Sequence, residues 1–142
     1  ETWGRVLRTP SRIYAPLGGD LLRERGGLTG AAHVTGGGVP RNLARLLRPS
    51  GLGADLDALF PPHPFMGELM RVGGIPAEQA YRMWNMGNGM LLAMPPGLVE
   101  ACLAAAVERG YPARVAGRVT TTPGIRLHTQ AGEHLAFPGG RP

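Results

Sequence analysis

The apolar positions of this 142-residue chain fall into two rhythms, one of two residues and one of three to four. In "LTGAAHVT" (28–35) alternation puts Ala32 and Val34 on one side and His33 and Thr35 on the other, which predicts a half-buried strand. "PRNLARLL" (40–47) brings Leu43, Leu46 and Leu47 onto one helical face, with Pro40 in the first turn. "LGADLDALF" (52–60) predicts another strand. In "PFMGELMRVGG" (64–74) Phe65, Leu69 and Val72 share a helical face with Met66 and Met70 beside them, and the Gly pair ends the helix. "PAEQAYRMW" (76–84) restarts a helix near Pro76 and aligns Ala77, Tyr81 and Trp84. "NMGNGMLLAM" (85–94) is a Gly-spaced turn leading into an unbroken apolar strand, expected to be buried on both faces.

"PPGLVEACLAAAVERG" (95–110) is the plainest helix, with Glu100 early, Arg109 late and Gly110 as its stop. "ARVAGRVTTT" (113–122) alternates as a strand with one wet face. "GIRLHT" (124–129) and "EHLAF" (133–137) flank "QAG" as a closing hairpin. A short helix is expected around Asp20–Arg25, ended by Gly26 and Gly27, and "PGGRP" (138–142) reads as a flexible tail. No internal repeat interrupts this order. Mixed strands and helices predict an α/β (α+β) fold, a mixed β-sheet layer with helices packed on it, in a single domain over 1–142.

Composition narrows the function classes. Hydrophobic content of 43% with 18% charged residues describes a globular chain, and the 23 glycines and 14 prolines are spread through periodic segments rather than gathered in one disordered tract. Net charge is +5, and all 15 basic residues are arginine. Codon bias in a GC-rich genome is the plainer explanation of this, and an anionic ligand is the functional alternative. Aromatics at 6%, with arginines interspersed among acids, do not form the basic, stacking stripe of a nucleic-acid partner. No apolar run is long enough to span a membrane, and positions 1–20 lack a signal-peptide pattern. Cys102 is alone in an apolar helix, a packing residue that forms no internal disulfide, and a reducing, cytoplasmic setting is expected. A start at Glu1, in an ordinary-looking segment, predicts a piece of something longer.

The candidate chemistry centres on "AAHVTGGGVPRNLARLLRP" (31–49). A strand ending in Thr35-Gly36-Gly37-Gly38 and turning into a helix exposes backbone N–H groups, which bind phosphate or sulfate. Glycine permits close approach and positive φ, so Gly37→Val is expected to weaken anion binding. Arg41, Arg45 and Arg48 stand at i, i+4 and i+7 on the following helix, and Arg41 or Arg45 reaches its start. A plain turn followed by a solvated arginine face fits the same spacing. The Lys-Ser/Thr ending of a nucleotide P-loop is missing. "NMGNGM" offers Asn85, Gly87 and Asn88 as cleft-lining residues or as a simple turn. His33 shares a strand face with Thr35 and can pair with an anion. His63 sits in a loop and His128 on the wet side of a hairpin strand, and no histidine has zinc-site spacing. Ser11 and Ser50 are the only serines, and neither sits in a nucleophile elbow. Asp55 and Asp57 share a strand face, where a cation site and a solvated edge are both open.

"PSRIY", "AAHVTGGGVPRN", "AYRMWNMGNGM" and "PARVAGRV", in this order, resemble the C-terminal domain of the phosphoribosylformylglycinamidine cyclo-ligases (aminoimidazole ribonucleotide synthetases) over roughly residues 9 to 120. The resemblance implies a two-domain, homodimeric, cytoplasmic purine-pathway ligase. That enzyme uses ATP and Mg2+ to phosphorylate the amide oxygen of its substrate before the amidine nitrogen closes the imidazole ring. It also implies that most ATP and Mg2+ ligands lie in an N-terminal domain outside this chain, which is therefore expected to be inactive alone and to supply no metal ligand. His33, Thr35, Gly36, Gly37, Gly38 and Asn42 would face substrate phosphate, with catalytic residues unassigned. Arg41 stands where the family often has an acid, Ala44 where proline is common, Trp84 for a usual Phe and Asn88 for a usual aliphatic residue. A free-standing phosphate-binding or interaction module, related to selenophosphate synthetase and hydrogenase maturation proteins, is the alternative.

Overall fold

The computed structural model describes residues 2–17, 19 and 27–139. The helix expected around Asp20–Arg25 and the last three residues of the expected tail lie outside the described residues. The elements run α1 (Trp3–Leu7), β1 (Gly30–His33), α2 (Gly38–Leu47), β2 (Gly53–Leu56), α3 (Pro64–Gly73), α4 (Ala77–Met83), β3 (Met90–Ala93), α5 (Val99–Glu108), β4 (Gly117–Thr120), β5 (Gly124–His128) and β6 (His134–Phe137). This is the mixed α/β architecture that the periodicities predict.

The strands form two sheets. β1 and β3 pair as an antiparallel ribbon with His33 opposite Met90. The other four follow the order β4-β2-β5-β6, with β2 and β5 parallel at the centre and an antiparallel strand on each side. Ala54, Leu56, Ile125 and Leu127 point from the central pair into the main core. There they meet Val39, Leu43 and Leu47 of α2 and Ala80 and Tyr81 of α4. The other face of the sheet is polar. On it Asp55 lies 3.4 Å from Arg118, 3.8 Å from Arg126 and 3.6 Å from His128, whose ring sits 4.3 Å from that of His134. A second, smaller core joins Cys102, Ala105 and Ala106 of α5 to Leu92 and Tyr111, so α5 covers the ribbon. Cys102 is buried, as a packing residue should be. No described helix is long and apolar enough to cross a membrane.

Several sequence expectations change. β3 is half-buried along its length rather than buried on both faces, because it belongs to a two-stranded ribbon and not to the centre of a larger sheet. β2 stops at Leu56, so Asp57 falls in a bend and does not share Asp55's strand face. Asp55 faces Arg118, Arg126 and His128 on the polar side of the sheet, rather than standing on a solvated edge. Val72 is 67% exposed, because α3 turns Met66 and Met70 to the core instead. A 3-10 turn at Pro96–Leu98 precedes α5, where the prolines delay the start of regular helix. The 113–122 segment pairs only over Gly117–Thr120.

Leu127 is fully buried between β2 and the helices. Leu127→Ala is expected to cost about 2–5 kcal/mol in urea unfolding, and Val72→Ser less than about 0.5 kcal/mol. Equal losses would contradict this placement of the core.

Candidate functional site

The loop between β1 and α2 is shaped by backbone contacts. Its turn is closed by the Gly38 amide, which donates to the Thr35 carbonyl at 3.0 Å. Gly37 and Gly38 have φ of 95° and 60°, where a side chain is strained. At Gly38 the reason is also steric, since a Cβ there would run into the carbonyl oxygens of Tyr81 and Trp84 at the end of α4. At Gly37 a Cβ would run into the stem of Arg41. Gly36 differs: nothing lies within 4 Å of where its Cβ would be, and its φ lies outside the left-handed range.

Asn42 organises the loop from below. Its side chain is buried, and Nδ2 donates to the carbonyl of Gly38 at 2.8 Å, with those of Gly36 and Thr35 at 3.4 and 3.5 Å. The C=O and N–H of a trans peptide point in opposite directions. Drawing the Thr35 and Gly36 carbonyls toward Asn42 therefore turns the Gly36 and Gly37 amides away from it. Among the described residues, those two amides donate to no acceptor in the chain. The structure thus gives Asn42 to the loop's own backbone, with its Oδ1 facing Arg45 Nη2 at 3.5 Å. Arg41 is exposed, its stem lying against Gly37 and its guanidinium forming no ion pair among the described residues.

The second Gly-spaced turn folds differently from the loop. Met86 and Gly87 both have positive φ, 46° and 86°, and Asn88 N–H donates to the Asn85 carbonyl at 3.0 Å, the form of a type I′ turn. Asn85 Oδ1 accepts from the Gly87 amide at 3.1 Å. Asn88 is buried, and it finds its polar partners in the backbone. It accepts from the Phe60 amide at 2.9 Å and donates to the carbonyls of Phe60 at 3.1 Å and Met86 at 2.8 Å. Gly87 packs on Pro61. Gly87 and Asn88 are thus turned to the 60–62 segment, while Asn85 stays exposed.

Thr35 and Asn85 meet across a hollow of about 240 Å3. Its other walls are Val34, Phe65, Met66 and Leu69, with Met83 and Trp84 from the end of α4. Sequence reasoning missed this hollow, because its apolar walls come from two helices and a strand end that no local period links. His33 is exposed on the ribbon, edge-on to Tyr14 with ring centroids 6.0 Å apart; Tyr14 also stacks on Tyr111, whose hydroxyl donates to the Ile13 carbonyl at 2.6 Å. Burial, and secondarily the charge of Glu133, pushes the Tyr81 phenol above its usual pKa. No carboxylate lies in the loop, and no group of three or more His, Cys, Asp or Glu among the described residues is placed to hold a metal ion. The loop thus offers no carboxylate to a hard cation such as Mg2+, and its Thr35, Gly36 and Gly38 carbonyls are turned to Asn42.

Comparison with known proteins assigns the chain a family. It belongs to the family described as AIR synthase related protein, C-terminal domain, whose model matches residues 2–130. Similar curated proteins are named phosphoribosylformylglycinamidine cyclo-ligase. That of Shouchella clausii is 39% identical over 126 residues, 87% of this chain and 36% of its own length. That of Bifidobacterium longum subsp. infantis is 36% identical over 129 residues, 89% of this chain and 37% of its own. That of Nitrosococcus oceani is 35% identical over 143 residues, 100% of this chain and 38% of its own. The chain thus spans little more than a third of the length of these relatives. Among solved structures, E. coli HypE, a hydrogenase maturation protein, matches with a TM-score of 0.65 at 23% identity over 92% of this chain and 40% of its own. HypE in complex with ATP matches with a TM-score of 0.67 at 18% identity over 89% of this chain and 40% of its own. These TM-scores show a shared fold.

The three loop glycines are expected to separate by substitution. Gly38→Ala should lower stability by about 2 kcal/mol or more, from strain and collision. Gly36→Ala should change it by less than about 0.5 kcal/mol. Thermal unfolding of the two variants measures this, and equal losses would contradict the close approach at Gly38.

Proposed function

We propose that this chain is the C-terminal domain of an ATP-dependent cyclo-ligase that closes the imidazole ring of formylglycinamidine ribonucleotide to give aminoimidazole ribonucleotide. In this reading Thr35, Gly36, Gly37 and Gly38 receive the substrate phosphate. The relatives' shared name at 35–39% identity supports the activity. The observation that carries the site is the pair of unpartnered amides at Gly36 and Gly37. They stand at the positive end of α2, where an anion is stabilised by both the N–H groups and the dipole. The Arg41 guanidinium adds charge from the solvent side. Asn42 acts from behind, by holding the carbonyls away from the ligand.

The reading assigns this chain binding and orientation, with no turnover of its own. ATP would supply the phosphoryl group that activates the amide oxygen. As the family resemblance implies, ATP and the metal would bind in an N-terminal domain of a homodimeric, cytoplasmic enzyme. The positions of Gly87 and Asn88 give those residues to turn formation, and leave Asn85 and His33 as the outer contacts on either side of the loop.

Inorganic phosphate titrated into 15N-labelled protein tests the site. Gly36 and Gly37 amide resonances are expected to shift most, and Gly36→Val is expected to weaken binding about tenfold or more by blocking approach. Gly36 suits this test because a side chain there meets open space, whereas valine at Gly37 would strain the backbone. Equal affinity in the two proteins would reject the site.

A further inference from the structure

We propose that Tyr14 is a positioning residue for His33: its ring fixes the imidazole at the loop end of the β1–β3 ribbon, where His33 meets the anion received by residues 35–38. This rests on the phosphate reading above. Tyr14 closes the stretch "PSRIY", residues 10–14, which has no regular secondary structure. Ile13 is 74% exposed, so burial of its apolar side chain does not hold the segment in place. Neighbouring polar and aromatic groups do. The Tyr111 hydroxyl donates to the Ile13 carbonyl at 2.6 Å, and Arg12 Nη1 donates to the Gly110 carbonyl at 3.4 Å. Tyr14 stacks on Tyr111 with ring centroids 6.0 Å apart, and Tyr111 packs in turn on the small core of Cys102, Ala105 and Ala106. Residues 12–14 are therefore strapped to the chain just past the end of α5, and Tyr14 reaches the ribbon as an anchored ring.

The ribbon is shaped to receive that ring. A Cβ on Gly89 would run into the Tyr14 hydroxyl. The φ of Gly89 lies outside the left-handed range, so its backbone makes no demand for glycine, and the bare position serves as the seat of the phenol. The Gly89 carbonyl accepts from the Val34 amide at 2.9 Å, a rung that falls between His33 and Thr35. One end of Tyr14 thus rests on the ribbon next to the loop. Its ring meets His33 edge-on, with centroids 6.0 Å apart and 65° between the planes, a favourable aromatic geometry. His33 is otherwise exposed and forms no hydrogen bond or ion pair among the described residues. Side chains two residues apart on one strand face stand about 7 Å from each other, so the imidazole lies beside Thr35 at the entrance of the loop. An exposed imidazole left alone samples several rotamers. The Tyr14 edge restricts it before the anion arrives, which removes part of the ordering cost of binding.

NMR on the 142-residue chain tests this in two stages. Without ligand, the ring protons of His33 are expected to show Overhauser contacts to those of Tyr14. Their ring-current shifts are expected to persist in Tyr14→Phe and to vanish in Tyr14→Leu. With inorganic phosphate titrated in, Tyr14→Leu is expected to weaken binding about threefold or more, and Tyr14→Phe to restore it. In a His33→Ala background Tyr14→Leu is expected to add nothing, because Tyr14 acts only through the imidazole. Three results would each overturn the positioning role: no contact between the two rings in the unaltered chain, a Phe variant as weak as the Leu variant, or a loss from Tyr14→Leu that survives the removal of His33. A failed phosphate reading looks different. Gly36 and Gly37 amides that ignore phosphate in the unaltered chain would end both proposals. Amides that shift with equal affinity in the unaltered chain and in Tyr14→Leu would end this one alone.

Discussion

The approach of α2's first residue to the last turn of α4 is the constraint on which the rest of this molecule depends. At Gly38 the backbone lies so close to the Tyr81 and Trp84 carbonyls that no side chain fits between them. Val39 and Ala80, on either side of the contact, are completely buried and seal it. From that junction α2 runs across the sheet and buries Leu43 and Leu47 on the central strands. The same junction sets where the chain must turn after β1, and where α4 must release Met83, Trp84 and Asn85. Loop and hollow are thus two sides of one packing event.

The three consecutive glycines divide the work unequally. Gly38 serves packing, Gly37 serves the turn and the overlying Arg41 stem, and Gly36 has no structural demand on its missing side chain. The proposed approach of a phosphate to the backbone uses that open space at Gly36. Asn42 completes the device from the interior, since its buried amide takes the loop carbonyls as acceptors and thereby points the amides outward. Asn42 is thus tied to the loop's own backbone rather than turned outward.

Much of this was legible from local pattern. Alternation at Ala32 and Val34 against His33 and Thr35 reproduces the observed burial of β1, and the 124–137 hairpin closes with His128 opposite His134. Such elements follow from neighbours in sequence. The errors concern partners distant in sequence. An apolar run at 90–94 looks like a central strand, but the number of strands beside it decides its burial, and it has one. Asn88, open between a cleft and a turn on sequence grounds, closes the turn, with partners in Met86 nearby and in Phe60, twenty-eight residues away. The hollow needed α3, α4 and β1 to be placed together before it existed at all.

Family membership and geometry bear on different questions. The family match covers residues 2–130 and ties the chain to proteins roughly two and a half times its length, while the bare amides carry the proposal for what this chain would hold. A crystal structure of the chain soaked with ribose 5-phosphate tests the central claim most directly. The account predicts phosphate oxygens about 2.7–3.2 Å from the nitrogens of Gly36 and Gly37. Ordered phosphate bound elsewhere, with those two nitrogens facing only solvent, would contradict it.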